Sequence, residues 1–175
     1  MNLLKAMNLL LSYNLPEHII AHSYKVTKVA WIIANELYET GVNVDKKLVL
    51  YSSLLHDITK YDSILNKGED HAVTGGIFLR KLGYSEIAEI VESHINLKES
   101  GKNILEKKIV YYSDKRVMHD KVVSLEERYD DLLVRYAKSI YSESMIKKGQ
   151  EKAQDVEREI FEKINFTPEY LNLVL

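Results

Sequence analysis

Apolar residues recur every three or four positions along most of this chain, and that helical period is what most restricts its fold. The clearest stripe comprises Val26, Val29, Ala30, Ile33 and Leu37. Only 7 Gly and 2 Pro occur among the 175 residues, and no segment shows the alternating period typical of a strand. We therefore predict an all-α, single-domain helical bundle.

Start and stop signals divide this pattern into helices. One helix is predicted between Asn14 and Gly41, and another from Asp45 to about residue 57. Further helices are predicted over about 70–82, from Ser85 onward, and over 105–119. The sequence SLEE at 124–127 has the spacing of a capping box and therefore marks the start of another helix.

Composition narrows the classes of partner and location. The net charge of −2 gives no reason to expect nucleic acid or an anionic membrane as partner. Cysteine is absent, so any metal must be held by His, Asp or Glu. The N-terminal run MNLLKAMNLLLSY contains a Lys and lacks a signal-peptide cleavage site, and no segment reaches the ~18 apolar residues of a membrane span. We expect a cytoplasmic protein.

His56 and Asp57 stand side by side at the end of an apolar run, where two adjacent titratable groups are unexpected. Three other polar residues share apolar helix stripes: His22, His94 and Asp114. Burying an ionised Asp alone is costly, so Asp114 must be paired, protonated or bound to metal. A carboxylate can bridge two ions and an imidazole cannot, which suits Asp57 to a position between two ions.

The segment TGG at 74–76 lies inside the predicted helix 70–82, one turn after His71. Each Gly there costs about 1 kcal/mol relative to Ala, which predicts that something approaches this helix closely. With His71 included, four predicted helices each direct one ligand-type residue inward, and the His56–Asp57 pair joins them.

Each of these residues alone has a simpler interpretation. A single inward His is more often a satisfied core residue than a ligand, and Asp114 could pair with a neighbouring cation. We leave His18 out because it falls in the first turn after Pro16, and we expect His119 to be solvated. The combination of these inward-facing His and Asp residues on several helices, rather than any one of them, predicts a metal site.

In order, the set is His22, His56, Asp57, His71, His94 and Asp114. It resembles the HD superfamily of metal-dependent phosphohydrolases, in the subset with two additional His before the final Asp. HDITK stands where that family often has HDIGK, and LEKKIVYYSDK is similar to a segment of its dinucleoside tetraphosphate hydrolases. The resemblance implies an HD core at about 16–117, with a C-terminal helical extension at about 124–175.

The resemblance also implies two divalent ions. One would be held by His22, His56, Asp57 and Asp114, and the other by Asp57, His71 and His94. Fe or Mn is expected, and Zn, Ni or Co would suit the same N/O donors. A hydroxide bridging the ions would attack phosphorus in a small phosphate ester or anhydride, with a nucleotide or dinucleoside polyphosphate foremost.

Asp57 and Lys60 are the expected catalytic residues, and the expected phosphate-binding residues are Lys60, Lys115 and Arg116. A solvated helix face is the alternative for these three cations. Thr59 departs from the usual family Gly. The Gly-Tyr-Pro signature of cyclic-dinucleotide phosphodiesterases is missing, which argues against such a substrate.

The sequence is also compatible with two other functions. Some proteins with the same six ligands are di-iron oxygenases acting on anionic small molecules, and a non-catalytic module that binds a nucleotide or protein is the third interpretation. We expect no membrane partner and no nucleic acid. Packing of residues 124–166 within one chain is favoured over a homodimer, which stays possible, and Tyr111 or Tyr112 is a candidate to line a pocket near Asp114.

Overall fold

The computed structural model describes residues 1–66 and 68–175, which form ten helices and one small hairpin. The helices are α1 (Leu3–Ser12), α2 (Glu17–Glu39), α3 (Lys46–Leu55), α4 (Lys60–Leu65), α5 (His71–Lys81), α6 (Ser85–Val91), α7 (Ile104–Lys115), α8 (Leu125–Tyr136), α9 (Ile140–Phe161) and α10 (Tyr170–Val174). The predicted all-α class is confirmed. Among the described residues, no helix is both long enough and apolar enough to cross a membrane.

Side-chain caps explain where several helices begin. The Asp45 carboxylate accepts from the Leu48 N–H at 2.9 Å, and the Asp70 carboxylate accepts from the Ala72 N–H at the same distance. At α8 the predicted capping box is confirmed, since Ser124 and Glu127 each accept from the other's backbone N–H. These caps satisfy N–H groups that a helix start leaves unpaired.

The longest helix, α2, lies at the centre of one hydrophobic core. Its stripe from Val26 to Leu37 is fully buried, and α3 and α7 pack against it. Helix α9 belongs to the same core, because its residues Ala153, Val156 and Ile160 are buried in the same cluster. The C-terminal helices therefore pack on the side of the bundle that carries α7.

The helix predicted over 105–119 is wrong beyond Lys115, and so is the expectation of no strand. Val117–Met118 (β1) pairs antiparallel with Lys121–Val122 (β2), with Val117 opposite Val122. His119 has a φ of +58° at the turn, in the left-handed region that a continuing helix cannot use. Val117 is fully buried, and its packing in the core takes the place of another helical turn.

The predicted close approach to the TGG segment is present in α5. A Cβ on Gly75 would lie 3.2 Å from Val91 Cγ1 and 3.3 Å from Thr59 Oγ1. Thr59 uses that hydroxyl to donate to the His71 carbonyl at 2.9 Å. The absence of a side chain on Gly75 therefore leaves room for Thr59 beside α5. The hydrogen bond from Thr59 to His71 then holds the start of α5 against the turn that follows α3.

Candidate metal centre

All six predicted ligand residues meet at one place, delivered by the ends or first turns of five helices. His22 lies early in α2, His56 caps the end of α3, and Asp57 follows in the turn before α4. The remaining three come from α5, the turn after α6, and the last turn of α7: His71, His94 and Asp114. Asp57 lies in the middle and is only 1% exposed.

One oxygen of Asp57 faces the residues expected to hold the first ion. Asp57 Oδ2 lies 3.4 Å from His56 Nε2 and 3.8 Å from His22 Nε2. Asp114 Oδ1 completes this group, at 3.0 Å from His22 Nε2 and 3.5 Å from His56 Nε2. Two imidazoles and two carboxylates thus converge from three separate chain segments.

The other oxygen of Asp57 faces a different pair of imidazoles. Asp57 Oδ1 lies 3.1 Å from His71 Nε2 and 3.5 Å from His94 Nε2. The two imidazole nitrogens are 3.3 Å apart. The two oxygens of a single carboxylate therefore address two separate groups of donors.

Three of the four imidazoles are oriented by hydrogen bonds from their other nitrogen. Nδ1 of His22, His56 and His94 lies 2.8, 2.7 and 2.6 Å from the backbone oxygens of His119, Ser53 and Val91, respectively. An N–H at Nδ1 donating to a carbonyl leaves the lone pair of Nε2 directed at the centre. This arrangement is the usual one around a metal-binding His.

Two observations test whether a divalent ion fits these residues. His56 Nε2 and Asp57 Oδ1 are buried and have no hydrogen-bond partner among the described residues, which is costly without a further ligand. Donor atoms about 2.1 Å from one ion lie about 3.0–3.4 Å apart in octahedral or tetrahedral coordination, close to the separations here. The clusters could therefore hold metal. The donor atoms of His22, His56 and Asp114 lie within 4.8 Å of one another, and so do those of His56, Asp57 and His94, which makes His56 a neighbour of both groups.

The histidines and lysines around the two aspartates perturb the pKa values of the cluster. Burial lowers the pKa of His56, but the carboxylates of Asp57 and Asp114 raise it to about 10. Burial lowers the pKa of His94 to about 4. Although burial raises the pKa of Asp57 and Asp114, the cations around them hold it well below the usual range. Both carboxylates are thus ionised and available as ligands.

Two of the predicted phosphate-binding lysines lie beside the ligands. Lys60 Nζ donates to Asp57 Oδ2 at 2.7 Å, and Lys115 Nζ donates to Asp114 Oδ2 at 2.7 Å. Lys115 Nζ also donates to the His94 carbonyl at 3.1 Å. Both ammonium groups therefore lie at the rim of the donor cluster, where a phosphate held at the centre would meet them.

The structure does not bring Arg116 to this cluster, contrary to the sequence prediction. Its guanidinium is 2% exposed and donates to the carbonyls of Val123 and Pro168 at 2.6 and 3.1 Å. It also donates to the Tyr112 hydroxyl at 2.5 Å and to Asn172 Oδ1 at 2.6 Å. Arg116 sits just past the end of α7 and ties that end to the C-terminal segment, so its donors are already used.

Two cavities flank the centre, one on each side, and helix α8 lies between them. The His22-side cavity, of about 320 Å³, is lined by His18, His22, Lys60, His119, Arg128 and Arg135 among others. The His94-side cavity, of about 490 Å³, is lined by His94, Tyr111, Lys115, Arg128, Tyr129 and Tyr136 among others. The first is rich in cations and imidazoles, whereas the second is rich in tyrosine.

Several of these lining residues were not predicted. His18 and His119 were excluded as ligands, and both are exposed, yet they line the cavity and the His119 carbonyl orients His22. Arg128 and Tyr136 carried no signal beyond a helical pattern, because nothing local indicates which face of α8 lies over the centre. Tyr111 lines the His94-side cavity as proposed, whereas Tyr112 is buried against Glu157.

Comparison with known families gives a match over the part of the chain that carries all six ligands. The family model for the HD domain matches residues 19–118, more than half of the chain. A crystal structure of a predicted HD superfamily hydrolase from an uncultured Thermotogales bacterium superposes with a TM-score of 0.51 at 20% identity. That superposition covers 91% of this chain and 92% of the other, and at this identity it establishes the shared fold.

The similar proteins with curated names include one uncharacterized protein and two methyltransferases. An uncharacterized protein of Methanocaldococcus jannaschii is 30% identical over 71% of this chain and 78% of its own length. Chains named tRNA (cytidine(56)-2'-O)-methyltransferase from Picrophilus torridus and Thermoplasma volcanium are 30% and 29% identical, over 72% and 71% of this chain. Each of those matches spans only 39% of the methyltransferase chain.

Proposed function

Because this chain belongs to the HD-domain family, we propose that it is a metal-dependent phosphohydrolase acting on a small phosphate ester or anhydride. Within that class we favour nucleotides and dinucleoside polyphosphates. The observation that carries the proposal is the division of donors around Asp57, whose two oxygens face two separate groups of imidazoles 3.1–3.8 Å away. That division is what a carboxylate shared by two ions requires.

The donor set supports two ions, with Fe or Mn foremost. His22, His56, Asp57 and Asp114 would hold one, and Asp57, His71 and His94 the other. With no thiolate among the donors, the set suits Fe, Mn, Zn, Ni or Co and gives no advantage to soft ions. Ions bound there would polarise a phosphoryl oxygen and lower the pKa of bound water.

The chain's own cations would position the substrate. Lys60 and Lys115 carry their ammonium groups within 2.7 Å of Asp57 and Asp114, at the rim of the donor cluster. Ions bound there would neutralise the two carboxylates, and both ammonium groups would then be available to pair with phosphate oxygens.

The two cavities favour a substrate with a charged part and an aromatic part. Phosphate groups suit the cationic His22-side cavity, where Lys60 and Arg128 meet. A nucleobase suits the His94-side cavity, which Tyr111, Tyr129 and Tyr136 line and where Tyr136 is the exposed ring of the three. A nucleoside polyphosphate spanning the centre would use both cavities.

We expect His94→Ala to weaken mainly the second ion. This change removes a donor from the Asp57 Oδ1 side and leaves the four donors of the other group in place. Even an outer partner of a metal ligand is worth roughly 10- to 100-fold in affinity, so a ligand should cost at least as much. Elemental analysis after dialysis should give close to one ion per chain.

His18→Ala is the matched control for metal content, since His18 is exposed and lies outside the ligand set. It should keep the metal content of the unaltered protein. Two tightly held ions in His94→Ala would contradict the division of ligands proposed here.

Hydrolysis itself is tested with protein reconstituted with Mn²⁺ or Fe²⁺ and a panel of nucleoside mono-, di- and triphosphates and dinucleoside polyphosphates. We expect release of phosphate or nucleotide that requires the ion and is the same under argon as in air. Product formation only in the presence of O₂ would instead support the di-iron oxygenase alternative. No turnover of any kind by fully metal-loaded protein would support the non-catalytic binding module.

A terminal phosphate on RNA is a second candidate substrate. Two relatives that share this region carry the name of a tRNA methyltransferase, which makes an RNA substrate worth testing. The net charge of −2 opposes extensive binding to an RNA backbone. The panel therefore includes short RNA oligonucleotides with 5′- or 3′-phosphates, and preference for them over mononucleotides would favour this candidate.

A further inference from the structure

We propose that Arg128, from helix α8, binds the substrate phosphate above the donor cluster together with Lys60. Arg128 lies outside residues 19–118, so the C-terminal helices would complete a site whose other parts come from the HD domain. The inference rests on the proposed function, because it names the residue that recognises the phosphate in that same site.

The position of Arg128 is the first observation. Arg128 and Lys60 both line the His22-side cavity and the His94-side cavity. Only residues at the boundary between the cavities can do this, and the donor cluster lies at that boundary. Leu132 and Tyr136 follow Arg128 at four-residue intervals and line both cavities too, so this whole face of α8 covers the centre.

The unused hydrogen-bonding capacity of Arg128 is the second observation. Its guanidinium makes no hydrogen bond to any described residue, and its Nε is fully buried without a partner. The nearest carboxylate oxygen, Asp131 Oδ2, lies 3.5 Å from Arg128 Nη1. Asp131 instead accepts from Arg135 through Oδ1, at 2.7–2.8 Å. Arg116, by contrast, has its donors fully engaged, so Arg128 differs from it in having donors to offer a ligand.

The charge around Arg128 is the third observation. Lys60 lines the same two cavities as Arg128, and its ammonium already donates to Asp57 Oδ2 at 2.7 Å. Arg128 has no such hydrogen bond to a carboxylate among the described residues. A phosphate between the two side chains would give the Arg128 guanidinium an anionic acceptor, and guanidinium is suited to hold it through two parallel hydrogen bonds.

Helix α8 is held firmly enough to place this side chain. The capping box at Ser124 and Glu127 fixes the first turn, which directly precedes Arg128. The next residue, Tyr129, donates its hydroxyl to the Gly149 carbonyl of α9 at 2.8 Å, and Tyr111 of α7 donates to the same carbonyl at 3.3 Å. Three helices thus meet at one backbone oxygen, and the guanidinium is positioned before any substrate arrives.

Binding of inorganic phosphate to metal-loaded protein tests this inference without requiring turnover. At fixed ionic strength, Arg128→Gln should raise the phosphate dissociation constant about 10- to 100-fold, the effect of losing hydrogen bonds to a charged group. The phosphate dissociation constant of Arg128→Lys should lie between those of the unaltered protein and Arg128→Gln, since lysine keeps the charge and loses the paired hydrogen bonds. Both variants should keep the metal content and melting temperature of the unaltered protein.

Arg158→Gln is the matched control, because Arg158 is an exposed arginine on α9 that pairs with Asp155. Its phosphate affinity should stay within about twofold of the unaltered protein. Equal phosphate affinity in Arg128→Gln and Arg158→Gln would overturn the inference, as would the absence of phosphate binding to metal-loaded protein. Phosphate binding that depends on Arg128, in a protein that hydrolyses nothing on the panel, would overturn the proposed function and leave the inference standing.

Discussion

Replacing Asp57 with Ala is expected to remove both ions and to abolish turnover. The two oxygens of Asp57 face the two donor groups, one oxygen to each, so its loss removes one donor from both groups. Two-ion catalysis contributes several kcal/mol of transition-state stabilisation, which corresponds to a rate loss of about 1000-fold or more. Elemental analysis and phosphate release by the same preparation measure the two effects together.

A matched variant separates this loss from a general disturbance of the turn. Asp62, five residues further on in α4, accepts from the Tyr13 hydroxyl at 2.7 Å and takes no part in the donor cluster. Asp62→Asn should keep metal content and turnover. Full metal content together with full turnover in Asp57→Ala would show that the bridging role assigned to Asp57 is wrong.

Replacing Arg116 with Ala is expected to cause the largest loss of stability, about 3–5 kcal/mol in the free energy of unfolding. The buried guanidinium lies 3.4 Å from the Glu157 carboxylate and donates to Tyr112, Asn172 and two backbone carbonyls. Its removal takes the side-chain donor away from the carbonyls of Val123 and Pro168 and breaks the contacts that hold the C-terminal segment to the end of α7. Urea denaturation monitored by circular dichroism measures the change.

The same variant distinguishes a structural role from the phosphate contact that the sequence predicted. A structural Arg116 predicts lower stability with KM unchanged in the folded fraction at low temperature. The exposed Arg158→Ala should change the free energy of unfolding by less than about 0.5 kcal/mol. Unchanged stability with a raised KM in Arg116→Ala would restore the role predicted from sequence.

Helical period and residue order predicted the fold and the ligand residues because both depend on local spacing. His22 lies four residues before Val26 and Asp114 four after Val110, so the apolar stripes that build the core also direct these side chains inward. The order of the six ligands then indicated the HD family, which is confirmed. The number of ions, their identity and the substrate remain predictions.

The features that were missed depend on contacts between distant parts of the chain. Arg116 could not be placed from sequence because its partners Pro168 and Asn172 lie 52 and 56 residues away. Likewise, the capping box predicted where α8 begins, but the packing of Tyr129 on Gly149 decides that Arg128 faces the centre. The hairpin after Lys115 was missed because a two-residue strand is too short to show an alternating pattern.

The metal content of anaerobically purified protein, measured by elemental analysis before and after reconstitution with Fe²⁺ or Mn²⁺, tests the central claim most directly. The division of donors around Asp57 predicts close to two ions per chain. One ion at saturation would contradict the shared carboxylate. No bound ion, even after reconstitution, would contradict both enzymatic functions and leave a helical module that binds without catalysis.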